Sequence, residues 1–283
     1  MCIAKIYRCP SVPFSWSDRG ALESMTSSFI PISGAPKLSI HADRPSVGRA
    51  AAEHVVKLLS RILSKQSRAR VVFACAPSQD QFLESLVELS SERVDWSRVT
   101  GFHMDEYVGL SEFHPASFRK YIERHFLSRV QLENFHPIAG EAIDPEAECA
   151  RYAALIEAEP IDLICLGIGE NGHLAFNDPP VADFNDAASV KVVELDLTCR
   201  EQQVHDGCFS QLAEVPLRAI TLTIPVFRRA AHLSVVVPGE RKAAAVRGTC
   251  QGEVSTECPA SILRTRDGVC LFVDRAAAGL LSD

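Results

Sequence analysis

Ile161-Asp162-Leu163-Ile164-Cys165-Leu166 runs without interruption into Gly167-Ile168-Gly169-Glu170-Asn171-Gly172-His173-Leu174-Ala175-Phe176-Asn177-Asp178-Pro179. The first six residues are apolar except for Asp162 and read as a strand buried on both faces. Such strands belong to parallel sheets covered by helices on both sides. The glycines that follow let the backbone turn sharply and approach a ligand closely. In sheets of this kind, ligands bind outside the carboxyl ends of the strands.

The sequence on either side repeats the pattern. Strands are predicted at 38–41, 71–76, 99–104, 190–195, 219–224, 232–237 and 268–274. Helices are predicted at 80–90, 117–130, 145–158 and 241–247. A further helix starts at Ser46 as N-cap and runs to about Ser64, with Ala50, Val55, Leu58, Leu59 and Ile62 on one stripe. The reading is one α/β domain over 37–283, with a mostly parallel sheet covered by helices on both faces. Residues 1–36 hold Pro10, Pro13, Pro31 and Pro36 and no sustained periodicity, and read as a poorly ordered N-terminal extension. No signal-like segment and no apolar run of about 18 residues occurs, so no membrane span is expected.

The formal net charge over 283 residues is -7, which argues against a partner whose phosphates need a basic surface. The chain holds ten cysteines but no Cys-x-x-Cys pair, which disfavours a zinc knuckle or a redox motif. Free thiols in a reducing cytoplasm are the expectation.

Gly167, Gly169 and Gly172 spell Gly-x-Gly-x-x-Gly, with Glu194 about 20 residues on, where a dinucleotide fold places its ribose acid. The context opposes that reading. A helix should open at the third glycine to take the pyrophosphate, yet Asn177, Asp178, Pro179 and Pro180 stop one almost at once. The better reading is a tight loop that presents His173 with Asn171 and Asp178 close by. A histidine beside a carboxylate is a proton-transfer pair, the acid fixing the tautomer. A hydrogen-bonded loop histidine is the bland alternative. The strand at 99–104 ends in Asp105-Glu106, and neighbours in an extended segment point to opposite sides. One carboxylate can therefore face a cleft as general base while the other is tied into structure. Metal binding finds no companion ligand spacing here.

Met104-Asp105-Glu106-Tyr107-Val108-Gly109-Leu110 and the Gly167–Pro179 run, in this order, resemble the glucosamine-6-phosphate deaminase family, which is related to the 6-phosphogluconolactonases. His114 to Phe118 and the stretch from Lys242 to Leu263 are similar too. The resemblance implies a modified Rossmann-like fold without nucleotide. It implies an amino-sugar phosphate deaminase/isomerase of the cytoplasm that needs no metal or organic cofactor. The implied partner is a small sugar phosphate, with no nucleic acid and no membrane; a homo-oligomer is left open.

By that resemblance Asp105 is the base that moves a proton from C2 to C1 of the open-chain sugar. His173 opens the ring, and Asn171 and Asp178 orient it. Ser78, Gly172, Lys242 and Glu106 form the expected substrate-binding set. Two segments depart from the family pattern, and both concern phosphate. A Gly-rich loop is replaced by Ala76-Pro77-Ser78-Gln79-Asp80-Gln81. A family Arg falls at or near Gly207, where Arg200 or His205 are the nearby substitutes. The alternatives carried are a sugar-lactone hydrolase of 6-phosphogluconolactonase type and a non-catalytic sugar-phosphate sensor.

Overall fold

A computed structural model describes residues 29–30 and 36–282 of the chain. The expectation for 1–36 therefore lies almost wholly outside the described residues. Its exception is a two-residue strand, β1 (Phe29–Ile30), paired antiparallel with β2 (Lys37–His41).

Seven parallel strands make the main sheet. They are β2, β3 (Ala69–Phe73), β4 (Val99–His103), β6 (Asn134–His136), β7 (Leu163–Leu166), β10 (His232–Val237) and β11 (Val269–Asp274). Their order is β2-β11-β10-β7-β3-β4-β6, with β1 on the β2 edge. All six junctions among these seven are parallel. From β3 the chain builds outward through β4 and β6, then returns to β7 on the other side and builds outward the opposite way. The strand order thus reverses between β3 and β7, where this class of sheet opens a crevice at its carboxyl edge.

The sheet is buried on both faces, as the apolar runs require. Val71 and Phe73 of β3, with Leu163 and Cys165 of β7, pack into one core with α1 (Arg44–Leu63) and α2 (Asp80–Ser90). The intervening Val72, Ile164 and Leu166 pack into the opposite core with α4 (Pro145–Glu157) and α7 (Ala243–Gln251). Helix α1 starts earlier than Ser46. Asp43 is its N-cap: Oδ1 accepts from the Ser46 amide at 2.9 Å, and Ser46 Oγ accepts from the Asp43 amide at 3.1 Å. Pro45 sits in the first turn, where no amide proton is needed, so the helix begins ahead of it. The predicted helix at 117–130 is α3 (Phe118–Ile122) continued by a wider turn at Glu123–Leu127.

Two predicted strands do not join the main sheet. β8 (Val190–Glu194) and β9 (Arg218–Leu222) pair antiparallel, and β9 pairs antiparallel with β5 (Asp105–Tyr107). The half-exposed pattern of β8 is that of a strand with one covered face, not of a central parallel strand. The chain crosses from one sheet to the other at Met104, whose carbonyl accepts from the Leu222 amide at 2.8 Å. Between β8 and β9 lies α5 (Leu197–His205), a helix absent from the sequence reading. The short α6 (Ile224–Arg229) follows β9.

Helices α1 and α2 touch at Gly48. A Cβ there would stand 2.6 Å from the Gln81 carbonyl carbon and 2.7 Å from the Phe82 nitrogen, both backbone. Gly48→Ala is expected to push the two helices apart and cost about 1–3 kcal/mol. Urea unfolding checks this; an unchanged midpoint would contradict the packing described.

Candidate active site

The loops after β3, β4, β7 and β10 converge at the strand-order reversal, and α5 lies over them. The cleft is lined by Ser78, Gln79, Asp105, His173, Gln202, Gln203, Asp206 and Lys242, among others. Of the residues expected from sequence, Asp105, His173, Ser78 and Lys242 come together here. Asn171 and Asp178 stand behind His173. Glu106 and Gly172 are elsewhere.

Asp105 begins β5, at the crossing between the sheets, and is 7% exposed. No hydrogen bond or ion pair from its side chain is found among the described residues. Burial, and then the negative charge of Glu106, raise its carboxyl well above the usual range. A poorly solvated carboxylate facing a cleft is a strong proton acceptor once ionised.

Glu106 is a correction to the sequence reading. It is fully buried and points away from the cleft. Oε1 accepts from the amides of Tyr107 at 3.0 Å and Phe118 at 3.2 Å. Oε2 accepts from Ser117 Oγ at 2.8 Å and from the Arg119 amide and Nε at 3.0 and 3.1 Å. Five donors saturate it, so it has no capacity left for a substrate. It satisfies the open amides at the start of α3 instead.

The β7 loop holds His173 flat against Gly169. A Cβ at Gly169 would lie 2.2 Å from the imidazole, so only glycine fits. His173 Nδ1 is 2.7 Å from Asp178 Oδ1, and Asn171 Nδ2 donates to the same oxygen at 2.8 Å. The His173 amide donates to Asn171 Oδ1 at 3.1 Å. Burial acts to raise the Asp178 carboxyl, but His173 and the hydrogen bonds from His173, Asn171 and Cys199 outweigh it and hold it low. An ionised Asp178 keeps a proton on Nδ1 and leaves Nε2 to exchange protons in the cleft. Beyond His173, Ala175 adopts φ 51°, and the Phe176 amide is tied to Thr221 Oγ1 at 3.1 Å. That left-handed alanine is strain of the kind stored at working sites. No helix opens at Gly172, which removes the structural basis of a dinucleotide site. Gly172 itself, at φ 88°, packs on Cys258, with 2.6 Å from a built Cβ to Sγ. It does not line the cleft, a second correction.

Cys199 was not singled out by sequence. Its thiol, His173 and Asp178 place one ligand atom each within 4.8 Å of one another. A zinc ion would have to part the 2.7 Å His173–Asp178 contact, because two ligands at 2.0–2.1 Å from a tetrahedral zinc stand roughly 3.3 Å apart. The spacing fits a hydrogen-bonded cluster better than an ion.

Ser78 lies in a 3₁₀ turn, Pro77–Gln79, and accepts from Gln79 Nε2 at 3.1 Å. Gln79 Oε1 is buried without a hydrogen-bond partner among the described residues. Lys242 is 8% exposed, and burial lowers its ammonium while Asp206 and Glu170 act to raise it. Neither substitute for the family Arg reaches the cleft. Arg200 donates to the carbonyls of Leu212 and Val215 at 2.7 and 3.1 Å, and His205 is exposed at the end of α5. Helix α5 brings glutamines instead: Gln203 Oε1 accepts from Tyr107 Oη at 2.7 Å, and Gln202 Oε1 from the Glu170 amide at 2.9 Å.

The sequence profile of the family described as glucosamine-6-phosphate isomerases/6-phosphogluconolactonase matches residues 42–272. The chain belongs to this family. A protein of Exiguobacterium sibiricum named glucosamine-6-phosphate deaminase is 38% identical over 196 residues, covering 69% of this chain and 76% of the relative. One of the same name from Pseudarthrobacter chlorophenolicus is 35% identical over 240 residues, covering 83% and 88%. A solved monomeric glucosamine-6-phosphate deaminase superposes with a TM-score of 0.79 at 27% identity, covering 86% of this chain and 99% of its own. The 6-phosphogluconolactonase of Trypanosoma brucei, at 18% identity and a TM-score of 0.69, shares the fold. No helix among the described residues is long and apolar enough to cross a membrane.

Glu106→Ala is expected to cost about 3–5 kcal/mol, because it removes the buried acceptor of the Arg119 Nε and of the amides at the start of α3, leaving Arg119 only Glu141 and the Leu110 carbonyl. Denaturant unfolding tests this; a loss below about 1 kcal/mol would contradict the structural role assigned to Glu106.

Proposed function

We propose that this protein is an amino-sugar phosphate deaminase, converting glucosamine 6-phosphate and water to fructose 6-phosphate and ammonia. The observation that carries the reading is the meeting of Asp105, His173 and Lys242 in one cleft of a chain whose relatives bear the deaminase name. His173 Nε2 moves the proton that opens the pyranose ring. Asp105 takes the C2 proton of the open aldose, and the electron pair left at C2 forms an enolamine. The same carboxyl returns the proton to C1. The resulting imine takes up water, and its C2–N bond breaks with release of ammonia. Lys242 and Ser78 receive the phosphate end. No step calls for a metal or an organic cofactor. A reducing cytoplasm suits the free thiols of the eight described cysteines and is the compartment proposed.

A coupled assay that follows ammonia and fructose 6-phosphate together tests the reading. Equal amounts of both are expected. Hydrolysis of 6-phosphogluconolactone with no ammonia from glucosamine 6-phosphate would replace it with the lactonase reading; binding of both without turnover would favour a sensor.

The pH profile follows from Asp105. Its carboxyl is raised by burial and by Glu106, and the base must be ionised to act. Activity is therefore lost as pH falls through a value above the ordinary Asp pKa of about 3.9. The acid limb of kcat/KM is expected there, and a limb at or below that value would contradict Asp105 as the base.

A further inference from the structure

The cleft holds an unusual mixture of charge. Lys242 lines it and makes no hydrogen bond or ion pair among the described residues. Its ammonium is the cation left for an anionic ligand. Yet the carboxylate of Asp206 lines the same cleft, and Glu170 also bears on Lys242. Both acids are occupied by one side chain outside the lining. Arg241 Nε is 3.0 Å from Glu170 Oε1, and its second terminal nitrogen is 3.2 Å from Asp206 Oδ1. Gln202 Nε2 adds a hydrogen bond to Asp206 Oδ2 at 3.3 Å.

Lys242 thus stands among two anions, Asp206 and Glu170, and two further cations, Arg241 and the more weakly acting Arg44. Without Arg241, Asp206 and Glu170 would lose their ion-pair partner beside Lys242, and an incoming dianion would meet two unpaired carboxylates. Neither Arg200 nor His205 can compensate from α5, as shown above. We propose that Arg241 is a specificity-determining residue: it holds Asp206 and Glu170 as ion pairs and so leaves the Lys242 ammonium to a sugar carrying a dianionic group. The inference rests on the deaminase reading for the identity of the sugar, and only for that. Arg241 acts through Asp206 and Glu170 and is a positioning residue, not a catalytic one. Its side chain is 57% exposed, so the fold does not depend on it.

The test measures fructose 6-phosphate and fructose binding by titration calorimetry, with steady-state kinetics on glucosamine 6-phosphate alongside. Arg241→Gln is expected to weaken fructose 6-phosphate binding roughly tenfold, a size set by one uncompensated charge acting on a dianion in partly screened surroundings. Fructose binding should hardly move. KM should rise in parallel, with kcat far less affected. Adding Asp206→Asn to Arg241→Gln should restore most of the affinity, and the loss should shrink at high salt. Arg241→Gln that binds fructose 6-phosphate as the wild type does would overturn the proposal. So would a loss that Asp206→Asn does not recover. Wild-type protein that shows this binding pattern but releases no ammonia would refute the deaminase reading and leave the charge arrangement standing. Wild-type protein that binds no fructose 6-phosphate would overturn both.

Discussion

Glu106 accepts five hydrogen bonds, and through them it decides which way Asp105 faces. The two residues are neighbours in a short extended segment, so their side chains leave the backbone on opposite sides. Once Glu106 is locked to Ser117, Phe118 and Arg119, Asp105 has only the cleft to enter. It enters with no donor among the described residues, and burial and the charge of Glu106 both raise its carboxyl. One carboxylate is spent on structure and the other is left facing the cleft, and the difference between them is set by a register of one residue.

The second group of the proposed acid–base pair is built differently. His173 depends on a loop that can come close only because position 169 lacks a side chain. Its carboxylate partner is held through Oδ1 by Asn171 and His173 of the β7 loop, and the Cys199 thiol of α5 stands close beside it. Helix α5 also contributes Gln202 and Gln203 to the cleft, and its C-cap contributes Asp206. One helix thus touches the histidine's support, the substrate space and the charge balance around Lys242. A change in the position of α5 reaches all three at once.

Much of this arrangement is legible in the sequence, for physical reasons. Strands buried on both faces must be apolar throughout, so β7 and β10 stand out, and α2 shows its helical stripe over the residues it occupies. A tight glycine loop with His and Asp a few residues apart is a local signal, and Asp178 does meet His173. What stayed hidden depends on contacts distant in sequence. β5 is three residues long and pairs only with β9, more than 100 residues away, so no local pattern announces it. α5 buries Cys199, Gln202 and Gln203, polar groups that leave no apolar stripe. The role of Glu106 is fixed by Ser117 and Arg119, which the sequence does not place beside it. Nothing local to Gly172 points to its neighbour Cys258, which comes from the far end of the chain.

The central claim is that Asp105 is a reactive group the fold does not need. Thermal unfolding and ammonia release from glucosamine 6-phosphate, measured on one preparation of Asp105→Asn, test it directly. The account predicts turnover lower by about 10²–10⁴, the usual contribution of a general base. It also predicts a Tm equal to or above that of the wild type, because a buried carboxylate with no partner among the described residues gives way to a neutral amide. Wild-type turnover in this variant would contradict the account.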